Sequence, residues 1–227
     1  MNFFRGTVTI NSSNQLEIGA ASVPELVARF GTPLYVMDET LIRHNCHNWR
    51  QAVDNYGTVA YAAKAFCTMA MCRLVDQEEL SLDVVSGGEL STALAAAFPA
   101  DRIYFNGNNK SKEELELAVQ AKVGRIIVDN FYELELLDQI AARLRRSVDV
   151  LLRVCPGIEA HTHEYVQTGQ LDSKFGFTLE NGQAMTAVQT AVAKRHLRLR
   201  GLQCHIGSQI FALDGYAAAG TAMVAFM

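Results

Sequence analysis

From about residue 34 the chain alternates short β-rich runs with longer stretches whose apolar residues recur every three or four positions. Strand candidates are Pro33–Asp38, Thr58–Ala65, Ser81–Val85, Arg102–Asn106, Arg125–Asp129, Val148–Val154 and Leu199–His205. Ser111–Gln120 and Asn130–Leu144 carry helical spacing between them. Ser111-Lys-Glu-Glu114 has the form of a capping box, and Asp129-Asn130 is a comparable helix start. Strand, helix, strand in repetition demands a parallel sheet with right-handed crossovers, because parallel neighbours cannot be joined by a tight turn. The near-continuously apolar strands predict a sheet covered on both faces.

Two α/β architectures satisfy this pattern, a doubly wound open sheet and a (β/α)8 barrel. No Gly-x-Gly-x-x-Gly follows the first strand, which counts against dinucleotide binding. Polar residues recur at the C-terminal ends of the strands: Lys64, Asp83 with Ser86, Asn106 to Asn109, Asp129, Arg153, and His205 to Ser208. A ring of polar groups at that mouth is where barrel enzymes build their sites, so the barrel is the expected fold.

Residues 1–32 behave differently. Arg5–Ile10 and Gln15–Ile18 flank the turn residues 11–14 as a small antiparallel pair, and Val23–Phe30 follows as a short amphipathic helix. Two strands alone are marginal, so the pair needs a partner sheet elsewhere. The expected division is therefore 1–32 and 33–227. A net charge of −4 with interleaved signs argues against a nucleic-acid partner. The lack of an apolar leader or membrane-length run argues for a cytoplasmic protein without a membrane partner. Five scattered cysteines read as reduced thiols. His44-x-x-His47 lies in a helical context with Arg43 and Arg50, and His161-x-His163 lacks further ligands, so no metal is expected.

Lys64 closes the apolar run 58–65. An isolated strand-end lysine is most often simply solvated. A lysine amine held in a partly desolvated site can instead attack a carbonyl to form a Schiff base.

Other motifs accompany it, in order. They are Tyr61-Ala-Ala-Lys-Ala65, Asp83-Val-Val-Ser-Gly-Gly-Glu-Leu90, Asn106-Gly-Asn-Asn-Lys-Ser111, Arg153-Val-Cys-Pro-Gly157, His161-Thr-His-Glu-Tyr165, Thr168 to Gly176, and Cys204-His-Ile-Gly-Ser-Gln-Ile210. Together they resemble the diaminopimelate decarboxylases, pyridoxal-phosphate-dependent enzymes with an alanine-racemase-like barrel and a β-domain. The resemblance implies that meso-2,6-diaminopimelate, a small amino-acid substrate, is decarboxylated to L-lysine in lysine biosynthesis. By the same resemblance Lys64 carries pyridoxal 5′-phosphate, His205 lies flat against its ring, and Ser208 with the amides at 207 and 209 holds its phosphate. Asp83, Glu89 and Arg153 map to the mouth, Arg153 orienting His205; an ordinary ion pair among these three stays an equal alternative. Gly87-Gly88 reads as turn backbone. His161, His163 and Lys174 belong to a long polar segment, 159–175, expected on the substrate side and bearing on the choice of diaminopimelate over ornithine or arginine.

Phe66 and Cys155 depart from residues common in the family, Asn at 66 and Asn or Thr at 155. The larger departure is length. The family's glycine-rich phosphate strand, its Glu-Pro-Gly-Arg strand and the rest of its β-domain have no counterpart in this sequence. The expectation is an incomplete barrel with six strands and two open edges, Pro33–Asp38 being its lead-in. It should be weakly stable and have little decarboxylase activity on its own. The intact family pairs subunits, which implies a homodimer. Another amino-acid decarboxylase of this fold, or a non-catalytic pyridoxal-phosphate- or partner-binding protein, stays open.

Overall fold

The computed structural model describes residues 6–158, 175–208 and 210–227. Contacts divide the chain into two units, Met1–Ala60 with Leu74–Leu80, and Tyr61–Arg73 with Ser81–Met227. In the first, β1 (Thr9–Ile10), β2 (Leu16–Ile18) and β3 (Ala21–Ser22) form an antiparallel sheet in that order. The anticipated pair thus gains a third strand from its own neighbourhood. Asn11 shapes the β1–β2 turn, its side-chain oxygen accepting from the backbone of Ser13 and Gln15, each at 3.0 Å. Helix α1 (Val23–Phe30) packs on β2 and β3.

Pro33–Asp38 forms no strand. Tyr35 is 96% exposed, and Pro33 has no amide to donate to a ladder. Asp38 instead caps α2 (Glu39–Val53), accepting from the Leu41 amide at 3.0 Å and from the Thr7 hydroxyl. Arg43 bonds Glu78 at 2.6 Å and Arg50 bonds Glu79 at 2.5 Å, fastening α2 to segment 74–80.

The second unit is built on parallel strands. β4 (Ala60–Ala62) runs into a 3₁₀ turn, Ala63–Ala65, and α3 (Met69–Gln77) follows. Next come β5 (Ser81–Val84), α4 (Gly87–Ala95), β6 (Ile103–Phe105), α5 (Lys112–Ala121), β7 (Arg125–Val128), α6 (Phe131–Arg143) and β8 (Val148–Cys155). β9 (Phe177–Thr178), α7 (Gln183–Ala193), β10 (Leu197–Gln203) and α8 (Asp214–Phe226) complete the described elements.

The ladder order is β4-β5-β6-β7-β8-β10, with β9 beside the end of β8. Strands following one another around the sheet without a reversal exclude a doubly wound sheet and match the progression of a barrel. The path does not close among the described residues, so β4 and β10 are its edges.

The helices begin where the caps foretold. Ser111 and Glu114 make both halves of a capping box, and the Asn130 side chain accepts from the Glu133 amide at 2.9 Å. Leu115, Leu134 and Leu137 from these helices are fully buried, as are Ile103, Phe105, Ile126 and Val128 from the strands. β8 differs from the expectation of two covered faces. Val148, Val150, Leu152 and Val154 are buried, while Asp149, Leu151, Arg153 and Cys155 between them are only partly covered. An open sheet leaves its would-be inner face wet, and that face carries polar side chains.

Candidate functional site

Parallel strands end together, so residues at their C-terminal ends share one rim. Lys64 lies in the 3₁₀ turn after β4, Asp83 on β5, Glu89 in the first turn of α4, and Asn106 just beyond β6. Asp129 follows β7, Arg153 is near the end of β8, and His205 stands two residues beyond β10. Register explains the meeting of the last two. Arg153 is paired with Gln203 at the end of β10, and the chain reaches His205 two residues later.

Several of these charges act on one another. The carboxyl of Asp83 feels the charges of Lys64, Glu89 and Arg153, and the imidazole of His205 feels Lys64 and Arg153. Burial pushes Asp83 up to about 6, against the pull of its Asn106 hydrogen bond and the two cations. Its Oδ1 is buried without a hydrogen-bond partner among the described residues. Partial burial, then the positive charges of Lys64 and Arg153, hold His205 below the ordinary histidine value, so the ring is neutral at neutral pH.

Glu89 has a second commitment. Its Oε2 accepts from the Val85 amide at 2.8 Å, and its own amide donates to the Ser86 hydroxyl at 3.2 Å. It therefore fastens the start of α4 while lending charge to the cluster. The Gly87 amide donates to Glu114 at 2.6 Å, leaving it committed to a protein carboxylate as expected for a backbone position.

Lys64 departs from the expectation in its setting. It is exposed and sits in a turn, whereas a partly desolvated strand end was anticipated; Ala63 beside it takes the buried position. Ser208 is exposed in the turn after β10, next to Gly207, whose φ of 135° suits glycine. His161, His163 and Lys174 lie outside the described residues, as does Gln209.

Behind the rim is an ionic chain that sequence reasoning missed. Lys110 Nζ bonds Glu133 Oε1 at 2.8 Å and donates to the carbonyls of Gly107 at 2.6 Å and Ile127 at 2.8 Å. Glu133 Oε2 accepts from the Asp129 amide at 3.1 Å. Asp129 Oδ1 pairs with Arg153 at 3.4 Å, and the Arg153 guanidinium lies over the Phe175 ring, 4.4 Å from its centroid. Glu133 stands three residues after the Asn130 cap, which was a legible signal, yet a first-turn glutamate ordinarily faces water.

This donor set suits pyridoxal phosphate, an aromatic aldehyde bearing a phosphate. Lys64 supplies an amine, His205 a neutral flat ring, Ser208 with Gly207 a hydroxyl and an open turn for an anion, and Asp83 an unsatisfied carboxylate oxygen. A separate cleft of about 250 Å³, lined by Val119, Lys122, Arg146, Asp149 and Arg198 among others, opens at the opposite, N-terminal strand ends. It is not the site of this cluster.

Residues 39–227 match the family described as pyridoxal-dependent decarboxylase, pyridoxal binding domain. The diaminopimelate decarboxylase of Bacillus subtilis is 52% identical over 220 residues, 96% of this chain and 50% of the relative. That of Mycobacterium tuberculosis is 45% identical over 210 residues, 92% of this chain and 47% of the relative. The chain thus spans about half the length of the curated relatives it matches. Among solved structures, diaminopimelate decarboxylase from M. jannaschii in complex with L-lysine has a TM-score of 0.86 at 33% identity, covering 97% of this chain and 52% of that one. Lysine/ornithine decarboxylase from Vibrio vulnificus with putrescine has a TM-score of 0.74 at 25% identity, covering 90% and 50%.

Proposed function

The chain belongs to the pyridoxal-dependent decarboxylases through their pyridoxal-binding domain, and from that premise we propose that it supplies the lysine-bearing half of a diaminopimelate decarboxylase site. Pyridoxal 5′-phosphate is the cofactor of this family; when bound, its conjugated ring draws electrons from the substrate α-carbon as carbon dioxide leaves. The reaction takes meso-2,6-diaminopimelate to L-lysine. The observation that carries the reading is the gathering of Lys64, Asp83, Arg153 and His205 at one rim of a parallel sheet.

Each side chain has a task in this reading. Lys64 would hold the cofactor's aldehyde through its amine and would release it to the amine of the substrate. Neutral His205 would offer the cofactor ring a flat face without adding charge, and Ser208 would offer its hydroxyl to the phosphate. Asp83, ionised above about pH 6, steadies the amine across the rim. Glu89 holds the start of α4 and adds negative charge beside Asp83. His161, His163 and Lys174 lie outside the described residues, and only the resemblance assigns them to the substrate side. The choice of diaminopimelate over ornithine rests on the higher identity to enzymes named for the former. Pairing of subunits and a cytoplasmic setting accompany the reading; no helix among the described residues is long and apolar enough to cross a membrane.

The test is carbon dioxide release from meso-diaminopimelate with added pyridoxal phosphate. We expect release that disappears in Lys64→Ala when the chain is supplied together with the remaining half of a relative, and little from the chain alone. Release from ornithine in preference to diaminopimelate would overturn the substrate assignment. Near-normal turnover by the chain alone would overturn the view that it carries half a site.

A further inference from the structure

We propose that Asp129 is a positioning residue for the cofactor site, acting through Arg153. This deepens the functional reading above and rests on it. Arg153 needs an anchor, because a guanidinium on the partly covered face of β8 has several rotamers, and the charge that Asp83 and His205 feel depends on the one it holds. The carboxylate of Asp129 lies 3.4 Å behind it, and the Phe175 ring covers its face. Side-chain exposure is 3% for Asp129 and 12% for Arg153, so solvent screens the pair little.

Asp129 is itself held from two further directions. Its Oδ2 accepts from the Gly176 amide at 3.0 Å, its amide donates to Glu133, and Glu133 is locked by Lys110. A Cβ at Gly176 would lie 2.8 Å from the Arg153 carbonyl, and φ there is 70°, so only glycine lets this strand end approach so closely. Lys110 spends all three of its N–H groups on Glu133 and two carbonyls, with the Glu133 and Lys110 side chains 3% and 1% exposed. Lys110 and Arg153 balance Glu133 and Asp129, so the buried chain carries no net charge. A charge-balanced buried network of this kind fixes geometry more than it adds stability. Its outer end is the only member that reaches the rim cluster.

Asp129→Asn keeps the acceptor for Gly176 and removes the charge facing Arg153. We expect pyridoxal phosphate to bind about tenfold more weakly, as removal of a supporting partner typically costs a site. Arg153→Met should show a similar loss, and the double variant should bind no more weakly than Arg153→Met alone. A merely structural Asp129 would lower Tm in both backgrounds and leave cofactor affinity unmoved; that result, or additive losses, would overturn the inference. Should Asp129→Asn fail to fold, Asp129→Glu, which displaces the charge by one methylene, carries the same comparison. If the parent chain takes up no pyridoxal phosphate, the functional reading fails separately. A crystal structure of Asp129→Asn then decides the inference: the guanidinium should leave the Phe175 ring, and its retention there would refute the positioning role.

Discussion

Asp83 is the costliest residue of the rim. Its carboxyl rises from 3.8 to about 6 on folding because burial disfavours the charged form more than Asn106, Lys64 and Arg153 favour it. A raised carboxyl means that the folded chain holds the proton more tightly than the unfolded one. The penalty is therefore absent below about pH 4 and complete above about pH 6. At neutral pH it is on the order of 3 kcal/mol. Asp83→Asn should raise the Tm of the cofactor-free chain at pH 7.5 by several degrees, roughly what such an energy gives a domain of this size. The gain should vanish as pH approaches 4. Thermal melts across this range check it, and a Tm lowered by the substitution at pH 7.5 would contradict it. Stability sacrificed at one carboxylate is what a site built for a ligand predicts.

At the scale of elements, Asp149 holds three strands together. It is the second residue of β8 and meets Arg125 of β7 at 3.6 Å, Arg198 of β10, and Arg200 of β10 at 3.1 Å. Burial works against its charge, but Arg198 and Arg200 prevail and hold the carboxyl below the ordinary value. Stability from a depressed carboxyl is present above the unfolded value and lost as pH falls through the folded one. Asp149→Asn should cost about 1 kcal/mol at neutral pH, the arginines being roughly half exposed and screened. The cost should shrink as the melts are taken below pH 4. An unchanged Tm at pH 7 would contradict this clasp.

The elements legible in the sequence are those with both a period and a cap. Ser111 and Asn130 announced α5 and α6, and Ile126 to Val128 could hardly be anything but a covered strand. Pro33–Asp38 misled because its apolar residues look like a strand although proline removes a ladder donor. β9 escaped notice because two residues leave no period to read. At the site, Lys64, Asp83, Arg153 and His205 were legible as polar residues ending apolar runs. Lys110 and Glu133 were not, since charges beside helix caps normally face solvent, and only the register of β7 with β8 brings Asp129 to Arg153.

For the whole molecule, a rim assembled from separate strand ends works only if the strands keep their order. β4 brings Lys64, β5 Asp83, β8 Arg153 and β10 His205, so four stretches far apart in the chain must be placed by one sheet. Both edges of that sheet are unpaired among the described residues, and a ligand that touches β4 and β10 together would stabilise the arrangement by mass action. The most direct measurement is chemical capture. The chain is incubated with pyridoxal phosphate, reduced with borohydride and digested, and the modified peptide is located by mass spectrometry. The adduct should fall on Lys64, above every other lysine, and be lost in Lys64→Ala. Labelling spread evenly over the exposed lysines, or concentrated elsewhere and unaffected by that substitution, would contradict a cofactor site at this rim.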